Sequence, residues 1–416
     1  MPRTGQDYLA SLRDGRAVWL DGELVKDITE HPAFRNTARS IADLYDLAAD
    51  GPARDVLTVQ PGGTEQRILR ACHVPRTHLE LVERRAAFKT WSEAGYGFLG
   101  RSPDCMATGI AGFVSAPEVF ADAEFDGRDN LAAYHRRMPE GSLYQAFTVT
   151  NPQTDRTKSA SGQEEDDLYV RVVKERDDVF VPWENVLTHR NMDAAFQMWW
   201  GTPAYTNFVH QASVRYRTKL EFLTGLAVLP AKSNNTYHLP PVQMQLGRLI
   251  GWLSIAKSMV LAAETEYEQI GGAGGPVHLS REIASAHRAM AGDLYPEILA
   301  ELKMLAGGGL IQLPASGYDL NHPELGRLVA KYVRSPGTPA EQRIKLLKLA
   351  WDALGSESAS RHEQYERFYH GAPHVYLPGI LLDGRPDLLE AFTQSCLDGY
   401  ELGEGPGTGA GFHGGR

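Results

Sequence analysis

Arg101 and Cys105 lie four residues apart, just beyond a glycine-rich stop at 95–100, in the stretch GFLGRSPDC. A guanidinium there can clamp an anionic or oxygen-rich group, and it can equally close a helix end or a surface ion pair. A lone cysteine is a nucleophile only where its thiol is made acidic. Nothing next to Cys105 clearly does so, and a buried cysteine otherwise packs as a small apolar residue. Further along, Asn151-Pro152 can start a turn, and Asp155-Arg156 can be a working pair or a solvated one. Arg361 and His362 are neighbours on a predicted helix, so they point in different directions and one of them is structural. Trp199-Trp200 suits either a core or the wall of an apolar pocket.

Other patterns exclude chemistry. GGAGG (271–275) and GGGL (307–310) lack the spacing GxGxxG after a strand, and GEGPGTGAG (403–411) has no helix behind it. Neither a dinucleotide fold nor a P-loop is supported. Cys72, Cys105 and Cys396 are far apart, and His73 and His78 are separated by a proline, so no metal site and no disulfide framework is expected. Neither GxSxG nor HExxH occurs. The net charge of −10, from 42 Lys+Arg against 52 Asp+Glu, has the wrong sign for a nucleic-acid partner. With 43% hydrophobic and 23% charged residues the chain reads as globular. The segment MPRTGQDYLASLRDG has no apolar centre, and no 18 apolar residues run uninterrupted, so the expectation is a soluble cytoplasmic protein without a membrane partner.

The elements that must position these residues are mostly helical. A short helix is expected over 4–14 and a hairpin at Asp21-Gly22. FRNTARSIADLYDLAAD places Phe34, Ile41, Leu44, Tyr45 and Leu47 on one helical face, and THLELVERRAAFKTWSEAGYG gives another helix running into the glycine stop. A limited β section follows: LYQAFTVTNP (143–152), the alternating DLYVRVVKERDD (167–178), and VFVPWENVL (179–187), extended to Pro182 and then turning. From about 200 the pattern is a helical bundle. Leu246, Leu249, Ile250, Leu253, Ala256 and Val260 share one stripe, GGAGGP breaks the chain, and Thr338-Pro339-Ala340-Glu341 reads as a capping box. The expected organisation is a helical N-terminal domain (1–142), a reduced middle β domain (143–190), a C-terminal helical bundle (191–400) and a flexible tail (401–416).

Five ordered blocks resemble one family over nearly the whole length. They are TGQDYLASLRDGRAVWLDGELVKDITEHPAFRN, GFLGRSPD, TNPQTDR, VFVPWENV and RIKLLKLAWDALGSESASRHEQYERFYHG. The chain is similar in these to the large subunits of 4-hydroxyphenylacetate 3-monooxygenases. The resemblance implies a mainly α, acyl-CoA-dehydrogenase-like fold with a small β section, a C-terminal four-helix bundle, and a homodimer or homotetramer. It implies that reduced FAD arrives from a separate flavin reductase and that a phenol is hydroxylated beside its hydroxyl. Arg101, Cys105 and Phe147 then fall at catalytic positions, and Asn151, Asp155, Arg156, Arg361 and His362 at cofactor-binding ones, with no metal.

Three departures from that family pattern stand out. Asp178 joins Val179 directly where the family carries a longer β section. Cys105 stands where RSPDY has tyrosine, and Phe147 where the family has histidine before the NP motif. A phenylalanine does no acid–base work, and a thiol replaces a phenolic hydroxyl poorly. Two functions are therefore expected as alternatives. One is a flavin-dependent oxygenase acting on an aromatic or unsaturated small molecule in specialised metabolism. The other is a member that has lost flavin and performs a non-oxidative cyclisation or isomerisation by positioning alone. The related iron–sulfur dehydratases need closely spaced cysteines near Cys105, which are absent.

Overall fold

The computed structural model describes residues 3–62, 65–141, 181–314, 316–369, 371 and 373–399. The expected strands 143–152 and 167–178, with Phe147, Asn151, Asp155 and Arg156, lie outside the described residues. Two compact units emerge. One comprises Met1–Gly225 with Ile250–Ser280, the other Leu226–Leu249 with Arg281–Arg416.

In the first unit, α1 (Gly5–Ser11) starts at a capping box in which Thr4 and Asp7 satisfy each other's backbone N–H. The turn between β1 (Trp19–Leu20) and β2 (Glu23–Leu24) has Asp21 at φ 53° and Gly22 at φ 82°, the left-handed pair that matches strand twist in a two-residue hairpin. α2 (Arg35–Ala49) buries Ile41, Leu44 and Tyr45, as its periodicity indicates. A short helix α3 (Arg54–Leu57) leads to the pair β3 (Thr58–Val59) and β4 (Ile68–Leu69). α4 (His78–Ala94) opens on a second capping box, Thr77 with Glu80, and closes at Gly95. α5 (Pro103–Val114) and α6 (Arg128–Gly141) follow. Beyond the turn Trp183–Asn185 come α7 (Met192–Trp200) and the long α8 (Ala204–Ser233).

The core of this unit gathers Tyr45, Leu44, Phe88, Trp91, Ile110, Phe113, Phe120, Leu131 and Val214. Trp91 Nε1 donates to the Leu44 carbonyl at 3.1 Å, which satisfies its one polar atom inside the core. Trp199 packs edge-on against Phe113, so it belongs with the core. Gly112 is required where α5 crosses α8, because a Cβ there would stand 2.4 Å from the Ala204 backbone.

α9 (Pro240–Thr265) begins in the second unit and ends in the first. Leu246, Leu249, Ala256 and Val260 are buried as expected, but Ile250 is half exposed, together with Met244 and Ile255 on an open face. By length and composition this helix could cross a membrane, with 28% of its most apolar stretch buried. Glu264 near its end is ion-paired inside the first unit, which marks it as a core helix with one open side. The hairpin β5 (Glu268–Gln269) and β6 (Val277–His278) is tied to the start of α4 by Val277 N–H donating to the Pro75 carbonyl.

In the second unit α10 (Arg281–Ala306) packs with α13 (Ala340–Leu354), α14 (Glu357–Phe368) and α15 (Pro373–Asp383) around Leu294, Tyr295, Ile298, Leu302, Ile344, Leu347 and Leu354. The small helices α11 (Tyr318–Asn321) and α12 (Pro323–Tyr332) lie between α10 and α13 in the chain, and α16 (Pro386–Leu397) follows α15. The expected capping box at Thr338 is not formed. Pro339 is itself the N-cap, and Thr338 is held by backbone hydrogen bonds to Ser335, so its hydroxyl lies one residue too early to serve.

Candidate functional site

Arg101 and Cys105 are brought together by the join between α4 and α5. α4 stops at Gly95, Tyr96 and Gly97 turn through positive φ, and Gly97 N–H returns to the Ser92 carbonyl at 2.8 Å. Ser102 then caps α5 with Pro103 at its first position, where the missing N–H costs nothing. Every residue from Ser102 to Phe113 is buried, whereas Arg101 is exposed, so the guanidinium marks the edge between core and solvent. Its Nη1 reaches Cys105 Sγ at 3.7 Å.

This segment is fixed from the opposite side by polar residues of α8 that recur every fourth position. Asn207 Nδ2 donates to the Thr108 carbonyl at 3.0 Å. Gln211 Nε2 donates to Ser102 Oγ and Asp104 Oδ1, both at 3.3 Å. Arg215 Nη1 donates to the Gly97 carbonyl at 2.9 Å. Lys219 Nζ stands 4.8 Å from the centre of the Phe98 ring, within cation–π range. All four side chains are buried. Gly97, at φ 79°, is what permits this approach, since a Cβ there would lie 2.5 Å from the Lys219 backbone nitrogen.

A second buried network stands beside the first. Arg84 Nη2 donates to Asn207 Oδ1 at 2.9 Å and lies 3.3 Å from His210 Nδ1. With Nδ1 accepting, the ring proton sits on Nε2, which faces Glu264 Oε1 at 2.8 Å. Glu264 Oε2 pairs with Arg85 at 2.7 Å. Burial lowers Arg84 to about 9, offset in part by Glu264. Burial likewise lowers His210, against the pull of Glu264, so the imidazole is neutral. A histidine held below its free value stabilises the fold above the unfolded value of 6.5 and withdraws that support as pH falls beneath it.

Arg361 and His362 belong to the second unit and diverge. Arg361 is 79% exposed and pairs with Glu357 at 2.8 Å on the helix surface. His362 turns inward, with Nε2 at 3.3 Å from the buried Glu366 and its ring stacked on Tyr365. Sequence reasoning missed Asn207, Gln211, Arg215, Lys219, Arg84, His210 and Glu264. The four-residue recurrence of polar side chains within the otherwise largely apolar stretch 204–223 was the available signal for the first four.

Family models described as 4-hydroxyphenylacetate 3-hydroxylase N terminal and C terminal match residues 4–178 and 195–383. The chain belongs to the 4-hydroxyphenylacetate 3-hydroxylase family. It is 30% identical to the 4-hydroxyphenylacetate 3-monooxygenase oxygenase component of Pseudomonas aeruginosa, over 89% of this chain and 87% of that one. It is 29% identical to the pyoverdin chromophore biosynthetic protein PvcC of the same organism, over 96% of each. These alignments run over 467 and 489 positions, more than the 416 residues of this chain, so both relatives contain stretches that it lacks. A crystal structure of the 4-hydroxyphenylacetate 3-monooxygenase oxygenase component complexed with FAD and 4-hydroxyphenylacetate superposes with a TM-score of 0.85. It is 26% identical and is matched over 95% of this chain and 99% of that one. The fold is the acyl-CoA-dehydrogenase-like one.

Removing the anion of the buried network should be costly. Glu264→Ala leaves Arg85 without its carboxylate and the buried Arg84 without the nearby negative charge, and a loss of about 3–5 kcal/mol is expected in urea unfolding. Glu264→Gln, which keeps a hydrogen-bond acceptor for His210, should lose less.

Proposed function

We propose that this protein is the oxygenase component of a two-component, flavin-dependent monooxygenase that hydroxylates a phenolic small molecule in specialised metabolism. Reduced FAD would come from a separate flavin reductase, in a cytoplasmic setting that fits the free thiols Cys72, Cys105 and Cys396. The observation that carries this reading is Arg101. It is the exposed residue at the edge of a fully buried helix start, in a turn that α8 holds at Gly97, Ser102, Asp104 and Thr108. None of the similar proteins favours the flavin-free cyclase.

A guanidinium suits an oxygen-rich planar ring, because it donates in a plane and tolerates stacking. Among the residues expected to hold FAD, Arg361 is engaged with Glu357, and Asn151, Asp155 and Arg156 lie outside the described residues. When bound, reduced flavin supplies the two electrons with which dioxygen delivers one oxygen atom to the ring and leaves the other as water. This chain's own residues bind and orient. Arg101 donates to the phenol oxygen and favours its ionised form, and the positive end of α5 acts in the same sense.

The exposed Ile250 and Ile255 of α9 support a homodimer or homotetramer, since exposed apolar side chains on one helix are ordinarily covered where they form a patch. Light scattering at micromolar concentration should give a mass of two or four chains. A monodisperse monomer contradicts the oligomer.

Arg101→Ala should weaken binding of 4-hydroxyphenylacetate by about ten- to a hundredfold, the range set by losing a hydrogen bond to a charged group. The melting temperature should hardly move, because the side chain is exposed. A variant that melts early and binds normally would place Arg101 in the framework instead.

A further inference from the structure

Asp104 occupies the second helical position of α5, between Arg101 and Cys105, and is buried to 1% exposure. Its Oδ1 accepts from the Ser102 hydroxyl at 2.5 Å and from the Gln211 amide at 3.3 Å. That amide also reaches Ser102 Oγ, so the three side chains form a closed triangle under the Arg101 turn. Oδ2 has no partner among the described residues, and neither has Thr108 Oγ1, one turn further along the same helix. A buried carboxylate oxygen ordinarily has a donor, so an open one calls for an explanation.

Among the described residues, the charged and titratable groups around this triangle come from three sides. Its own turn carries Arg101 and Cys105. α8 brings the neutral Gln211, with His210 beside it in sequence, and the buried Arg215 one turn further on, bonded to the Gly97 carbonyl. The other elements packed on α5, the turn Arg70–Cys72 and α6, bring Cys72 and His135, the latter hydrogen-bonded to the Cys72 carbonyl. Burial pushes the Asp104 carboxyl up to about 6, against the pull of Ser102, Gln211 and the backbone N–H groups of Asp104 and Cys105. The folded chain therefore takes up this proton more readily than the unfolded one, whose value is 3.8. Ionised Asp104 costs stability above about pH 6, and the cost is relieved as pH falls from there toward 4. A group held in its unfavourable state for folding is a candidate for work at a site.

We propose that Asp104 is a positioning residue: its carboxylate, acting through Ser102 and Gln211, sets the turn that presents Arg101 to the phenol oxygen. It does not touch the ligand. Hydrogen bonds to an ionised acceptor are about twice as strong as those to a neutral one, so protonation loosens both arms of the triangle together while the carboxyl itself stays buried. The inference rests on the reading of Arg101 as the ligand-binding end.

The experiment uses the full chain as wild type, Asp104→Asn and Gln211→Glu, with 4-hydroxyphenylacetate as the probe between pH 5 and 8. Wild-type affinity should fall through a midpoint near 6 on acidification. Asp104→Asn should bind about tenfold more weakly at pH 8, show no such midpoint, and melt no lower than wild type at that pH. Gln211→Glu, which sets a second carboxyl against Asp104, should move the midpoint upward and covers the case in which Asp104→Asn does not fold. Amide hydrogen exchange of residues 97–105, corrected for intrinsic rates, reads the turn without any ligand. Its protection should drop below pH 6 in wild type and stay constant in Asp104→Asn. That exchange result without binding of the phenol at any pH would remove the phenol reading and keep the positioning role. Unchanged affinity and pH dependence in Asp104→Asn, or loss of affinity together with the melting temperature, would overturn the proposal, as would exchange protection that does not respond to pH in wild type.

Discussion

Asn207, Gln211, Arg215 and Lys219 stand at every fourth position of α8 with almost no access to water, and the rest of the first unit is arranged to satisfy them. A buried amide or cation without a partner costs a few kcal/mol, more than most single contacts contribute. The partners come from one stretch of chain, Gly97 to Thr108, which is thereby pressed along α8 at Gly97, Phe98, Ser102, Asp104 and Thr108. Glycine at 97 follows from that contact, because no side chain fits between the turn and the α8 backbone. Arg101 is the member of this stretch that faces outward. The turn that carries it is set by polar pairing inside the protein.

The Arg84–His210–Glu264–Arg85 network extends the same constraint to α4 and α9. Asn207 belongs to both systems, accepting from Arg84 with its oxygen while its nitrogen donates to Thr108. One side chain thus couples a charged interior to the turn that carries Arg101. Such networks contribute little net stability compared with an apolar core, but they admit few alternative arrangements. A turn that must hold a guanidinium in place gains more from a single geometry than from extra stability.

Much of this was legible in the sequence where local chemistry decides. The helix of THLELVERRAAFKTWSEAGYG with its glycine stop, Asp21-Gly22 and the stripe of α2 each form the element that their residues specify. The capping box at Thr338 failed because a tertiary detail, the backbone pairing of Thr338 with Ser335, moved the helix start by one residue. Ile250 fits the apolar stripe of α9 by spacing yet lies open, since periodicity cannot tell an inner position from an exposed one. The polar stripe of α8 escaped notice for a related reason: buried polar residues look like a solvated face until their partners, about a hundred residues away in sequence, are known. Arg101 and Cys105 were legible because they are adjacent on one turn, whereas Arg361 and His362 diverge as neighbours on a helix must.

Alkylation of Cys105 measures most directly whether the α8 stripe holds the Arg101 turn. Cys105 is buried behind that turn, and Cys72, buried in the same unit with its thiol pushed up to about 12, reports any general unfolding. In the double variant Asn207→Leu with Gln211→Leu, iodoacetamide should modify Cys105 much faster than in wild type while Cys72 stays unmodified, as followed by peptide mass spectrometry. Equal rates at Cys105 in the two proteins, or modification of Cys72 in step with Cys105, would contradict the account.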